Sequence, residues 1–106
     1  MRNEELVKGM SNCVNHCNWC ADACLNEENL KDMVECIRLD KACAAVCRAL
    51  NDILLTEYKD IQKLVDYCIE MCEKCAEECE KFGSKHCKDC AQACRECAKN
   101  LRNFTA

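Results

Sequence analysis

The stretch CIEMCEKCAEECEKFGSKHCKDCAQACREC (residues 68–97) decides the fold, because eight cysteines recur in it at nearly constant intervals. The first four are separated by steps of four, three and four residues. The last four, after a short break, are separated by steps of three, four and three. Residues three and four apart lie on the same face of an α-helix. The spacing therefore predicts two helices that pack against each other through faces made of thiols, as bundled helices do.

The composition limits what such a chain can be. With 106 residues it is expected to form one small domain over residues 1–106. Fifteen residues are cysteine, a content typical of disulfide-stabilised or metal-binding proteins. Disulfides are disfavoured, because the cysteine count is odd, proline is absent and glycine occurs only twice. Cysteines one turn apart on a helix are also poorly placed to pair with each other.

The charge and the first residues indicate the compartment and the partners. The formal net charge of −4 gives no reason to expect nucleic acid or an anionic membrane as a partner. No apolar run approaches the roughly 20 residues that a membrane span needs. The start, MRNEELVKGM, shows neither an apolar signal segment nor a twin-arginine signal, so a reducing cytoplasm is the expected compartment.

The pattern of the whole chain predicts four helices, at about residues 3–25, 30–55, 59–82 and 85–103. Their short connections favour an antiparallel up-down four-helix bundle, a fold of the all-α class, with a cysteine-lined core. Gly83 is a natural residue to end the third helix, and Ser84 is a natural N-cap for the fourth. The break between helices 2 and 3 is weaker, since only Thr56 supplies a capping signal there.

Each predicted helix carries one stripe of residues spaced by three and four, and the four stripes agree on a direction. When the helices alternate up and down, the apolar residues of all four stripes fall at one end of the bundle, beside the termini and the turn between helices 2 and 3. We call this the apolar end, and it consists of Leu6, Met10, Leu50, Leu54, Ile61, Val65, Leu101 and Phe104. The opposite end, where Met33, Phe82 and His86 are expected, we call the mouth; thiols fill the space between.

A core of thiols points to bound metal. Cysteine buries less apolar surface than Leu or Ile, so metal binding is expected to supply part of the folding free energy. Zinc sites and iron–sulfur clusters use separate nests of about four ligands, whereas these stripes are continuous. Cu(I) is soft and prefers thiolate ligands, and it accepts low coordination numbers, so many ions can follow one axis.

The pattern therefore favours high-capacity storage or buffering of Cu(I). The alternatives are a zinc or iron–sulfur protein and a thiol-based redox protein. An enzyme is not expected, because no feature of the sequence singles out one low-pKa cysteine as a nucleophile.

The candidate metal ligands are the core thiols and three further residues. Asp40 takes a stripe position where a cysteine would complete the pattern, while His86 and Met33 are expected at the mouth. His16 is expected at the surface, and Trp19 faces away from its stripe. The candidate thiols are Cys13, Cys17, Cys20, Cys24, Cys36, Cys43, Cys47, Cys68, Cys72, Cys75, Cys79, Cys87, Cys90, Cys94 and Cys97.

Two segments carry a resemblance to a known family. The segments ECIRLDKACAAVC (residues 35–47) and HCKDCAQACRECA (residues 86–98) resemble the second-helix and closing motifs of the four-helix-bundle copper-storage proteins. The resemblance covers essentially the whole chain. It implies a core that holds many Cu(I) ions through cysteine thiolates and takes them up from one end, a homotetramer, and the cytosolic branch of the family.

The chain departs from a His-rich form of the turn between helices 3 and 4, since FGSKH (residues 82–86) has one histidine. This departure predicts slower copper uptake, or uptake that relies on Met33.

Overall fold

The computed structural model describes residues 3–104, which form four long helices and one short helix. The long helices are α1 (Glu4–Cys24), α2 (Val34–Leu54), α3 (Gln62–Cys79) and α4 (Lys85–Arg102). A 3-10 helix, Leu30–Met33, leads directly into α2. The described residues include no strand, and the predicted all-α class is confirmed.

The helices pack in a ring in which each contacts two neighbours, in the order α1, α2, α3, α4 and back to α1. The molecule measures 45 × 22 × 18 Å, so the helices run along its long axis. Asn3 at the start of α1 donates a hydrogen bond from Nδ2 to the carbonyl of Leu54 at the end of α2, at 3.5 Å. These two helices are therefore antiparallel, as the four-helix bundle requires. Within residues 3–104, no helix combines the length and the apolar character needed to cross a membrane.

The stripes predicted from the spacing form the core. Every cysteine of α1, α2, α3 and α4 is buried, and alanines beside the stripes, such as Ala44 and Ala76, let the helices approach closely. Charged side chains occupy the outer faces. One charged residue is an exception in the described chain: Asp40 is 0 % exposed.

The apolar end forms as the stripes predict, although two of its members lie at its rim. Met10 and Leu50 are 0 % exposed, and Leu101 is 1 % exposed. Leu6 and Phe104 are only partly buried and pack against the outside of the core. The mouth differs more, because Phe82 also lies partly buried outside α3 instead of on its stripe.

The third helix begins later than the sequence indicates, at Gln62 instead of about residue 59. The Thr56 side chain accounts for the delay. Its Oγ1 donates to the Ile53 carbonyl at 2.7 Å and accepts from the Tyr58 backbone N–H at 3.1 Å, which holds the chain in a turn after α2. Thr56 thus ends α2 and does not cap α3.

The expected role of Gly83 was wrong. The third helix ends at Cys79, with Glu80 as its C-cap, and Gly83 does not adopt a positive φ. Successive backbone hydrogen bonds from Lys81 to Glu78 and from Phe82 to Cys79 tighten the end of α3, so a left-handed glycine is not needed there. Ser84 does precede α4 in an extended conformation, but its buried Oγ has no hydrogen-bond partner among the described residues.

Candidate metal centre

Fifteen thiols line the axis of the bundle, and each is free and 0–1 % exposed. They come from all four helices, because each helix turns one three-and-four stripe inward. The shortest sulfur–sulfur distance is 3.0 Å, between Cys47 and Cys68, and other close pairs lie at 3.5 Å, such as Cys36 with Cys79. These distances exceed the roughly 2.05 Å of a disulfide and suit weak S–H hydrogen bonds between thiols. The axis therefore holds a continuous column of reduced sulfur, which we call the thiol column.

The thiol column is divided into overlapping groups of four, and the ligand atoms of each group all lie within 4.8 Å of one another. Successive groups share one or two cysteines, so no group is separate from the next. From the apolar end towards the mouth, five of these groups are Cys13, Cys47, Cys72 and Cys97; Cys13, Cys17, Cys43 and Cys94; Cys17, Cys75, Cys90 and Cys94; Cys20, Asp40, Cys79 and Cys90; and Cys20, Cys24, Cys87 and His86.

Burial favours the protonated form of two thiols near the mouth, Cys24 and Cys87. Burial raises the pKa of Cys24 and of Cys87 above the ordinary range of a thiol. A thiol must lose its proton to become a metal ligand, so metal binding at these positions releases protons. Cys24 and Cys87 thus become anionic ligands as a cation binds beside them.

Asp40 is surrounded by thiols. Its Oδ1 accepts hydrogen bonds from Cys75 at 3.1 Å, Cys90 at 3.4 Å and Cys79 at 3.6 Å, and its Oδ2 lies 3.9 Å from Cys36. Burial raises the pKa of Asp40 to about 8. The carboxyl group therefore fills the stripe position predicted for it and holds together thiols from α2, α3 and α4.

His86 connects the thiol column to the surface at the mouth. Its Nδ1 lies 3.5 Å from the sulfurs of both Cys20 and Cys87, and its Nε2 lies 2.8 Å from Oε1 of Glu27. His86 with Cys20, Cys24 and Cys87 forms the outermost group of four, which we call the mouth cluster. The helical spacing places His86 beside its stripe, but it gives no signal for Glu27, since a carboxylate in a polar turn is usually solvated.

A groove on the side of the bundle leads to the mouth cluster. Its volume is about 240 Å³. Trp19 forms part of its wall and is 70 % exposed, so it faces away from the core as expected. His16 is half-buried in the same wall and does not belong to any of the five groups of four named above. The complete lining is His16, Trp19, Cys20, Ala23, Lys85 and His86.

Met33, expected at the mouth, is buried. It is 1 % exposed, at the end of the 3-10 helix that precedes α2. The structure thus brings together all fifteen cysteines with Asp40 and His86, and it places Met33 within the same core.

Comparison with known proteins gives consistent results. A model of the copper storage protein family matches residues 1–106. An uncharacterised cysteine-rich protein of Bacillus subtilis, YhjQ, is 33% identical over 70 residues, which make up 66% of this chain and 65% of that relative. The aligned part thus spans slightly less than two thirds of the relative's length.

Solved structures share the fold over more of the chain. The Cu(I)-bound copper storage protein BsCsp3 superimposes with a TM-score of 0.92 at 32% identity, with 100% of both chains covered. A cytosolic copper storage protein from Streptomyces lividans, in a form with five coppers, gives a TM-score of 0.87 at 34% identity over 92% of this chain and 86% of that one.

Proposed function

The chain belongs to the copper storage protein family, and we propose that it stores or buffers Cu(I) by binding many ions along its thiol column. The observation that carries the proposal is the uninterrupted sequence of buried, reduced thiols in overlapping groups of four. Soft thiolates select Cu(I) over harder cations. Relatives of the same fold have been obtained with Cu(I) or with several coppers bound.

The overlap between groups suits a store better than a single site. An ion that leaves one group for the next keeps at least one sulfur ligand, because Cys13, Cys17, Cys94, Cys90 and Cys20 each belong to two groups. Copper can therefore spread from the mouth cluster towards the apolar end without passing through an unligated state. The chain acts as a reservoir and not as an enzyme, and its cargo is the metal itself.

The proposed ligands are the fifteen thiolates of the column together with three residues of other types. His86 binds at the mouth through Nδ1, which already faces two sulfurs. Asp40 offers an oxygen in the group next to the mouth. Met33 offers a thioether, a soft ligand that suits Cu(I), from the turn before α2.

The protein is further proposed to work in the cytoplasm as a homotetramer. The description of the Streptomyces lividans relative as cytosolic supports the compartment. Large exposed apolar side chains, among them Trp19 and Tyr58, offer surface that subunit association would bury. Light scattering during size-exclusion chromatography is expected to give a molar mass of about four times the 12.1 kDa of one chain.

Anaerobic titration with Cu(I) tests the storage function. The fully reduced protein should take up on the order of one ion per thiol, because bridging thiolates let ions crowd along the column. The measurement is copper bound per chain after competition with a Cu(I) chelator, with free thiols counted in the same sample. Saturation near one equivalent, or displacement of the copper by zinc, would contradict storage. An iron–sulfur absorption spectrum in the protein as purified would favour the iron–sulfur alternative.

A further inference from the structure

Glu27 is held beside the mouth cluster by its own backbone. It lies in the turn after α1, where its N–H donates to the carbonyl of Cys24 at 3.2 Å. Cys24 is a member of the mouth cluster. The Glu27 side chain then reaches across to α4, and its Oε1 lies 2.8 Å from Nε2 of His86. One carboxylate thus links the end of α1 to the start of α4 at the point where the thiol column begins.

This contact selects one tautomer of the His86 ring. A neutral imidazole carries a proton on one nitrogen and a lone pair on the other. The carboxylate oxygen beside Nε2 accepts a hydrogen bond, so it keeps the proton on Nε2. The lone pair is then on Nδ1, which is the nitrogen 3.5 Å from the sulfurs of Cys20 and Cys87. The ring is therefore oriented and protonated as a ligand before any metal arrives.

We propose that Glu27 is a positioning residue, which sets the tautomer and orientation of His86 so that the mouth cluster captures Cu(I) quickly. The inference rests on the proposed storage function. Carboxylates that bind the second nitrogen of a ligating histidine fix its tautomer and increase its basicity, and their loss costs about 10- to 100-fold in metal affinity or activity. Glu27 has the geometry of such a residue, since its Oε1 lies 2.8 Å from Nε2 of His86.

The effect is expected on the rate of uptake and not on the capacity. His86 belongs to the outermost group, whereas the four other groups named above consist of thiols and, in one of them, Asp40. Copper that has passed the mouth therefore meets ligands that Glu27 does not influence. Trp19, the only tryptophan of the chain, lines the groove together with Cys20 and His86 and so gives a fluorescence signal beside the first site of capture.

The test compares Glu27→Ala and Glu27→Gln with a matched control, Glu28→Ala, which removes a neighbouring exposed carboxylate. Uptake from a Cu(I)–chelator complex is followed by the chelator's colour and by Trp19 fluorescence. Glu27→Ala should take up copper on the order of 10-fold more slowly. Glu27→Gln should take up copper at nearly the wild-type rate, because its amide oxygen can still accept a hydrogen bond from Nε2–H. Glu28→Ala should take up copper at the wild-type rate. All four proteins should reach the same final copper content.

Nitrogen-15 NMR of the metal-free proteins supplies a signature that general destabilisation would not produce. In the wild type, His86 should show a protonated Nε2 and an unprotonated Nδ1, and Glu27→Ala should show a mixture of tautomers. The same spectra recorded with His16→Gln in every protein contain signals from His86 alone, which assigns them. The role of Glu27 would be overturned if Glu27→Ala took up copper as fast as the wild type or if its His86 tautomer were unchanged. Faster uptake in Glu27→Ala would also overturn it, because the contact between Glu27 and His86 would then be an obstacle to entry. These results leave storage intact, whereas a low copper capacity in the wild type refutes storage itself.

Discussion

Asp40 makes the stability of the metal-free protein depend on pH. Its pKa is raised to about 8 in the folded state, mainly by burial, from its ordinary value of 3.8. The folded protein therefore keeps a proton that the unfolded chain gives up. By linkage, the stability contributed by this group is fully present below the unfolded pKa and is lost as pH rises through the folded one. This contribution to stability is therefore lost between about pH 4 and about pH 8.

Replacement of Asp40 by asparagine should remove this dependence. The Asp40→Asn side chain has nearly the same shape and can accept hydrogen bonds from the surrounding thiols, but it cannot ionise. The metal-free variant should therefore unfold at a higher temperature than the wild type above about pH 8, and the difference should shrink towards about pH 4. Thermal unfolding of both proteins, reduced and anaerobic, measures this difference at each pH. A difference that does not change with pH would show that the thiols fully stabilise the Asp40 carboxylate.

The sequence predicts single positions well where they follow the helical period, and less well where they depend on neighbours from other helices. Asp40 was placed on its stripe because the steps of three and four allow no other place for it. Its thiol partners come from α3 and α4 as well as α2, and they depend on how far the helices slide along one another, which the spacing within one helix does not determine. Glu27 has no periodic signal at all, because it acts from a turn.

At the scale of the elements, the sequence predicts the helices through their stripes and is least accurate at their ends. The delay in α3 follows from two hydrogen bonds of Thr56, and the early end of the same helix follows from backbone turns that bypass Gly83. Both depend on local geometry that several sequences can adopt. The interior of each helix is determined instead by many residues that agree with one another.

The helices contribute unequally to the thiol column, and this inequality gives a prediction for α1 and α3. Each carries four cysteines, but α1 supplies a ligand to all five groups named above, whereas α3 supplies one to three of them. Replacing Cys13, Cys17, Cys20 and Cys24 of α1 with alanine should therefore lower the Cu(I) capacity more than the same change at Cys68, Cys72, Cys75 and Cys79 of α3. Anaerobic titration measures both capacities.

The α3 variant is the matched control for that comparison, since it removes the same number of thiols. Circular dichroism establishes that both metal-free variants keep their helices. Equal losses, in proportion to the thiols removed, would mean that each sulfur binds copper independently of the groups.

At the scale of the whole molecule, two kinds of core share one bundle. The apolar end stabilises the fold without metal, because Met10, Leu50, Leu54 and Leu101 are almost fully buried there. Each residue of the thiol column buries less apolar surface than a residue of the apolar end. The column stabilises the fold when cations bind to it, because they bind the folded state and not the unfolded chain. The metal-free protein is thus expected to depend on the apolar end, and the copper-loaded protein on both.

Leu50→Ala tests this division. Leu50 is 0 % exposed, so its truncation should cost the metal-free protein about 2–5 kcal/mol of unfolding free energy, measured by anaerobic urea titration. Leu55→Ala is the control, since Leu55 is 47% exposed and its loss should change stability little. Because bound Cu(I) stabilises only the folded state, copper-loaded Leu50→Ala should resist more urea than the metal-free wild type. If loading leaves its urea midpoint unchanged, copper binding is not coupled to the folding of the bundle, and the thiol column does not stabilise the fold.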